Sequence, residues 1–160
     1  MGSLARLFLS LILLGAVFFG WYAVERASPR PLASSAPIVA TSSAPSSSAY
    51  VNASEDLIFA TAPKPGATLT STILLKGFAR GSWYFEAVFP IVVINKDGMT
   101  IGQGQGRADG DWMTNAFVPF STEIDLKAPY SGPAIIKLEK DNPSGDPSRD
   151  ASLSIPVTLQ

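Results

Sequence analysis

The side chains of this sequence that could do chemistry are mainly carboxylates, because the chain contains no histidine and no cysteine. Histidine is the usual general base near neutral pH, and the Ser-His and Cys-His nucleophiles need one or both of these residues. Glu86, Asp109 and Asp111 could form an acid and base pair of the glycosidase kind. No Gly-x-Ser-x-Gly motif is present, and no lysine follows a serine by three residues. We therefore expect no catalytic residue, and a carboxylate-dependent hydrolase is the weakest of the functions considered.

A second group of oxygen-bearing side chains lies in residues 141–150, where Asp141, Asn142, Asp146 and Asp150 occur together. Oxygen donors of this kind bind calcium, although the EF-hand spacing is absent. Asp and Asn beside Pro, Ser and Gly also build turns by bonding their own backbone. We predict a turn-rich loop with no metal ligand, in which Arg149 pairs with a neighbouring carboxylate. Calcium binding remains an alternative.

Glycine alternates with glutamine in Gly102-Gln103-Gly104-Gln105-Gly106. The spacing matches neither the dinucleotide fingerprint nor the P-loop, so we predict no cofactor. On a strand the three glycines would point to one face. Glycine inside a strand often marks a close approach, which predicts that an aromatic ring such as Trp83 or Trp112 packs there.

Aromatic residues give the best candidate for a binding surface. Trp83, Tyr84 and Phe85 are consecutive, so on a strand at least one ring would point away from the core. Together with Glu86 and Trp112 they form the predicted binding site, since exposed aromatic rings anchor protein partners and sugar rings. The alternative is that these rings cap the end of the fold or cover the glycines.

The N-terminal part of the chain predicts a membrane anchor and a tether. Residues 4–24 are almost continuously apolar, which is close to the length that a bilayer-spanning helix needs. We assign residues 1–26 to an uncleaved transmembrane helix with its N-terminus inside, and a cleaved secretory signal is the alternative. Residues 27–54 are rich in Ser, Ala and Pro, a composition that predicts a disordered linker.

Residues 55–160 show the pattern of an all-β domain. A run rich in β-branched and aromatic residues ends at Asn95-Lys96-Asp97-Gly98, which predicts a hairpin. Further segments alternate apolar and polar residues at period 2, as in residues 120–126. About seven short strands separated by turns predict an immunoglobulin-like β-sandwich, with a small closed or partly open barrel as the alternative.

Several local patterns resemble the immunoglobulin-like domain of bacterial spore germination. They are Gly77 in the second strand, Trp83-Tyr84-Phe85-Glu86 before the third, Asp97-Gly98 in the hairpin, Asp111-Trp112 ahead of Phe120, residues 141–150, and Ile155-Pro156-Val157. The resemblance covers nearly all of residues 55–160. It implies an immunoglobulin-like fold in a secreted or membrane-anchored envelope protein, and it carries over no catalytic residue.

These observations together predict a non-enzymatic binding or assembly module of the bacterial cell envelope. The module is expected to be held in the cell membrane by one helix, with its C-terminal domain on the outer side and a protein of the envelope as partner. An envelope domain that binds cell-wall glycan or calcium is the alternative. Nucleic acid is not an expected partner, because 12 Lys and Arg against 13 Asp and Glu supply no basic face for phosphates.

Overall fold

The computed structural model describes residues 47–160. The predicted transmembrane helix at residues 1–26 and most of the predicted linker lie outside the described residues. Among residues 47–160 there is no helix with the length and hydropathy of a membrane span.

The described part of the chain is all-β, as predicted, and holds nine strands. In chain order they are β1 (Ala49–Val51), β2 (Ile58–Ala62), β3 (Thr68–Leu69), β4 (Thr72–Arg80), β5 (Val88–Asn95), β6 (Thr100–Ala108), β7 (Phe117–Asp125), β8 (Gly132–Glu139) and β9 (Ser152–Leu159). Two 3-10 turns, Gly81–Trp83 and Pro147–Arg149, are the helical elements of this region. The seven longer strands match the predicted number, and β1 and β3 are short additions.

Hydrogen bonds join the strands in the order β1-β9-β8-β5-β6-β7-β4-β2, and β3 pairs in parallel with β9. The β6–β7 junction is narrow, since its ladder consists of Arg107 opposite Ser121 and Ala108 opposite Phe120. The path therefore divides into two halves, β2-β4-β7 and β6-β5-β8-β9, which is the strand arrangement of immunoglobulin-like folds. Within the described residues the path does not close, because β1 and β2 at its ends do not pair with each other.

Inward-facing side chains of both halves form one apolar cluster. In β7 the buried Phe120 and Ile124 alternate with the exposed Ser121 and Glu123, as the period of 2 predicts. The same alternation buries Ile136 of β8. Each large side chain removed from water contributes about 1.5–3 kcal/mol to folding, which explains why the alternating segments specify the sheet register.

The predicted hairpin is present as β5, a four-residue turn and β6. Asn95 lies at the end of β5 and is 7% exposed. Its side-chain oxygen accepts hydrogen bonds from the backbone N–H groups of Asp97 (3.0 Å) and Met99 (2.9 Å). Gly98 has a φ of 79°, a conformation that glycine adopts without strain.

The three glycines of β6 face inward, but the rings that the sequence suggested for them lie elsewhere. A Cβ on Gly106 would overlap the ring of Phe89, which is its partner in the β5–β6 ladder. A Cβ on Gly104 would come within 2.7 Å of Ile124. The prediction that Trp83 or Trp112 fills this space is therefore wrong, because the inter-strand register places Phe89 and an aliphatic side chain there.

β1 lies within residues 27–54, which the sequence predicts as linker. For residues 49–51 that prediction is wrong, because they pair antiparallel with β9, from Ala49 opposite Ser154 to Val51 opposite Ser152. Tyr50, the middle residue, packs against the core cluster. One half-buried ring and a short ladder thus order a segment whose neighbours in sequence are Ser, Ala and Pro.

Candidate functional site

Three loops meet at one end of the domain, which we call the loop end. They are residues 81–87 between β4 and β5, residues 109–116 between β6 and β7, and residues 140–151 between β8 and β9. The strand register places them together, because Arg80 pairs with Phe117, Val88 with Arg107 and Glu139 with Ser152. All five residues of the predicted binding site belong to these loops.

Backbone contacts hold the three loops in place. The N–H of Ala108 donates to the carbonyl of Ala87 (2.9 Å), and the N–H of Asp141 donates to the carbonyl of Trp83 (3.1 Å). Gly81 lies so close to the carbonyl of Trp112 that a Cβ would overlap it. The loop end is therefore a connected surface rather than three independent loops.

Trp83 and Tyr84 do not face solvent, which corrects their assignment as contact residues. Trp83 is 1% exposed and Tyr84 is 4% exposed. The Tyr84 hydroxyl donates to the carbonyl of Val118 (3.0 Å), and burial raises the pKa of this tyrosine. Both rings turn inward because Trp83 ends a 3-10 turn, so the alternation expected of a strand does not apply. Within residues 47–160 the Trp83 Nε1 has no hydrogen-bond partner.

Phe85 and Glu86 are displayed by a two-residue turn whose left-handed positions are not occupied by glycine. Phe85 and Val88 exchange two backbone hydrogen bonds, of 3.0 and 3.1 Å, around Glu86 and Ala87. These two residues have φ values of 51° and 65°, as in a type I′ turn, whose preferred sequences are Asn-Gly and Asp-Gly. The left-handed backbone costs roughly 1–2 kcal/mol for each residue with a Cβ. The turn leaves Phe85 43% exposed and Glu86 exposed, so one of the three consecutive rings points away from the core, as expected.

The loop of residues 109–116 adds a feature that the sequence did not reveal. Trp112 is half-buried and packs against the core cluster, whereas its neighbour Met113 is 78% exposed. The Asp111 carboxylate fixes this arrangement by accepting a hydrogen bond from the Met113 N–H (2.9 Å). A shallow cavity of about 290 Å³ lies beside the loop, with Asp109, Asp111 and Phe117 in its lining. A lone methionine in a polar loop carries no sequence signal of exposure.

The polar side chains of the acidic loop, residues 140–151, form hydrogen bonds within the loop, as the turn interpretation predicts. The Asn142 amide donates to the Asp146 carbonyl (2.8 Å) and to the Asp150 carboxylate (2.7 Å). The Asp146 carboxylate accepts from the Ser148 N–H (2.9 Å) and lies 3.9 Å from the Arg149 Nε. The Ser148 hydrogen bonds lower the pKa of Asp146. Within residues 47–160 no group of three or more acidic side chains is arranged to hold a metal ion.

A family model described as the immunoglobulin-like domain of bacterial spore germination matches residues 57–146 of this chain. The match covers more than half of the 160 residues. It includes the turn that displays Phe85 and the loop that contains Trp112, and it ends before β9. No curated protein sequence matches the chain.

Proposed function

Because this chain belongs to the family of the immunoglobulin-like domain of bacterial spore germination, we propose that it is a non-enzymatic binding and assembly module of the bacterial cell envelope. In this proposal residues 1–26 anchor the chain in the cell membrane, and the residues between the anchor and β1 form a tether. The folded domain lies on the outer side of the membrane and contacts an envelope protein through its loop end.

The observation that carries the proposal is the display of Phe85. A phenyl ring that is 43% exposed sits on a turn with two left-handed residues that are not glycine. Backbone strain of this kind is concentrated at binding and active sites, where it serves to hold a side chain in position. Met113, on the neighbouring loop, adds a second exposed apolar side chain. Aromatic rings at the centre of an interface contribute most of the binding energy of many complexes.

β1 runs antiparallel to β9 toward the loop end, from Ala49 opposite Ser154 to Val51 opposite Ser152. Just after β1, the Asn52 side chain donates to the Asp150 carbonyl (2.9 Å). β1 is thus fixed both to β9 and to the loop of residues 140–151.

Site-specific photocrosslinking tests the partner. The full chain, in membranes of its source bacterium, carries a photoreactive phenylalanine analogue at Phe85 or, as a control, at Met99. Met99 is 59% exposed on the β5–β6 turn, at the other end of the domain. We expect one protein adduct from position 85 that is absent from position 99. An excess of the unlabelled natural chain should abolish this adduct, whereas an excess of a Phe85→Ser chain should not. Equal adducts from both positions, or none from position 85, would refute the proposal.

Cysteine labelling tests the topology, since the natural chain has no cysteine to interfere. Gly2→Cys and Met113→Cys chains are treated with a membrane-impermeant maleimide in protoplasts. We expect Met113→Cys to be labelled in intact protoplasts and Gly2→Cys only after lysis. The reverse pattern would place the domain inside the cell and contradict the localisation.

A second candidate is binding of cell-wall glycan, and the cavity beside residues 109–116 favours it. Two carboxylates and the Phe117 ring line this cavity, and such groups bind sugar hydroxyls and stack on sugar rings. Cosedimentation of the chain with purified peptidoglycan separates the two candidates. Sedimentation that is lost on Asp109→Asn and unaffected by Phe85→Ser would favour the glycan.

A further inference from the structure

The outer face of the β2-β4-β7 half carries three half-buried phenylalanine rings and one exposed leucine. Phe59 of β2 packs against Phe78 of β4 and Phe117 of β7, each with ring centroids 5.3 Å apart. The three rings are half-buried and lie toward the loop end. Leu74, farther along β4, is 53% exposed. Apolar side chains grouped on one face and flanked by polar residues are typical of interaction surfaces.

Charge on this face is divided between its two long strands. The charged side chains that point outward from β4 are both basic, Lys76 and Arg80. Those that point outward from β7 are both acidic, Glu123 and Asp125. Arg80 also stacks on Phe117, with its guanidinium carbon 4.0 Å from the ring centroid. One strand is therefore basic and its neighbour acidic.

We propose that this face is the docking site for a second copy of the same chain. A two-fold axis parallel to the strands lays the basic β4 of each copy on the acidic β7 of the other. Lys76 then faces Ser121 of the second copy, and Glu123 of that copy lies two residues farther along β7, about 7 Å away and within reach of the long lysine side chain. A two-fold axis across the strands would instead lay β4 on β4, basic on basic. Charge complementarity thus selects both the partner and the orientation.

The chosen orientation agrees with the proposed anchor, although it does not depend on it. Rotation about an axis parallel to the strands keeps both loop ends on the same side. Two chains held in one membrane could therefore dock with Phe85 and Met113 of both copies on the same side of the dimer. Phe117 borders both the docking face and the loop-end cavity, but Lys76 and Glu123 lie on the docking face alone and Phe85 on the loop end alone. The charge-reversal and photocrosslinking experiments therefore fail independently.

The size of the face predicts a weak dimer. β4 and β7, with nine residues each, are about 30 Å long, and the five-residue β2 is about 17 Å long, which gives a footprint on the order of 400 Å² per copy. A standard interface buries about 800 Å² per partner. We therefore expect a reversible dimer that depends on concentration rather than a permanent one.

Charge reversal tests the dimer with the full chain in detergent micelles, measured by sedimentation across a range of concentrations. We expect Lys76→Glu and Glu123→Lys each to weaken self-association at least tenfold. An equimolar mixture of the two variants should associate again, because each supplies the charge that the other lacks. Gln105→Lys, on the exposed face of β6, is the matched control and should leave association unchanged.

A cysteine reporter locates the interface independently. Ser121 lies on β7 in the middle of the face, opposite Lys76 in the β4–β7 ladder. A Ser121→Cys chain should form a covalent dimer with a short bis-maleimide, whereas Gln105→Cys should not. The proposal would be overturned if the chain is monomeric at every concentration. It would also be overturned if neither charge reversal weakens the dimer and position 105 crosslinks as efficiently as position 121.

Discussion

The ring of Phe89 lies directly against the backbone of Gly106, its partner across the β5–β6 ladder. Phe89 is fully buried, and its centroid lies 5.0 Å from that of Phe120 and 5.3 Å from that of Tyr84. The absence of a side chain at residue 106 gives this aromatic cluster its space. The cluster in turn lies beneath the loop end, since Tyr84 belongs to the loop that displays Phe85.

Gly106→Ala should destabilise the domain, because the added methyl group would overlap the Phe89 ring. We expect a loss of about 1–3 kcal/mol in the free energy of unfolding, measured with urea on residues 47–160. The loss should be smaller in a Phe89→Leu background, since the shorter side chain leaves room for the methyl group. Gln105→Ala, which changes an exposed neighbour, should stay within about 0.5 kcal/mol of the natural sequence. Equal losses in both backgrounds would contradict the packing described.

Tyr84→Phe should cost about 1–2 kcal/mol at neutral pH, because the buried Val118 carbonyl loses its hydrogen-bond donor. Burial raises the pKa of Tyr84 in the folded state, so folding favours the protonated phenol. That stabilisation is complete below the unfolded pKa of about 10 and is lost as pH rises above it. Thermal unfolding of both proteins at pH 7 and at pH 11 checks this. The difference between them should shrink at pH 11, since phenylalanine does not ionise, and a difference independent of pH would contradict the burial of the hydroxyl.

Glu86→Asn combined with Ala87→Gly should stabilise the domain by about 1–2 kcal/mol, because Asn-Gly is the preferred sequence of a type I′ turn. The measurement is the urea midpoint of residues 47–160. As a control, Ser82→Gly alters an exposed loop residue without a positive φ and should not stabilise. A destabilised double variant would mean that the left-handed turn is not strained in the natural sequence.

Acid should weaken the loop of residues 140–151 through Asp146. Hydrogen bonds from Ser148 lower the pKa of this carboxyl in the folded state, so the loop is stabilised above the unfolded pKa. The stabilisation is lost as pH falls through the folded pKa, which we expect below the ordinary value of about 3.9. The Ser148 amide shift, followed by NMR, should report that midpoint. An Asp146→Asn chain should show no such titration, and a midpoint above the ordinary value would refute the hydrogen bond.

Period-2 alternation and the Asn95-Lys96-Asp97-Gly98 turn predicted the β5–β6 hairpin and the longer strands, because burial of one face and turn chemistry are local properties. The burial of Trp83 was not predictable in this way, since a 3-10 turn replaces the strand at that point. The Phe85–Val88 turn was missed because Glu and Ala give no turn signal. Phe89 was missed as the partner of Gly106 because inter-strand register is not local.

β1 has a mechanical consequence for a tethered chain. Suppose that a bound partner pulls on the loop end while the proposed anchor holds the chain before β1. Tension then enters the domain at Ala49 and runs along β1. The strand is antiparallel to β9, so its three residue pairs carry the load together in shear rather than opening one by one. β1 is only three residues long, stands at one end of the strand order and pairs with β9 alone. Its release would withdraw Tyr50 from the core cluster and lengthen the proposed tether by a few residues, while the ladders of β2 and β4–β9 stay paired. In the proposed arrangement β1 would therefore yield to tension before the rest of the domain.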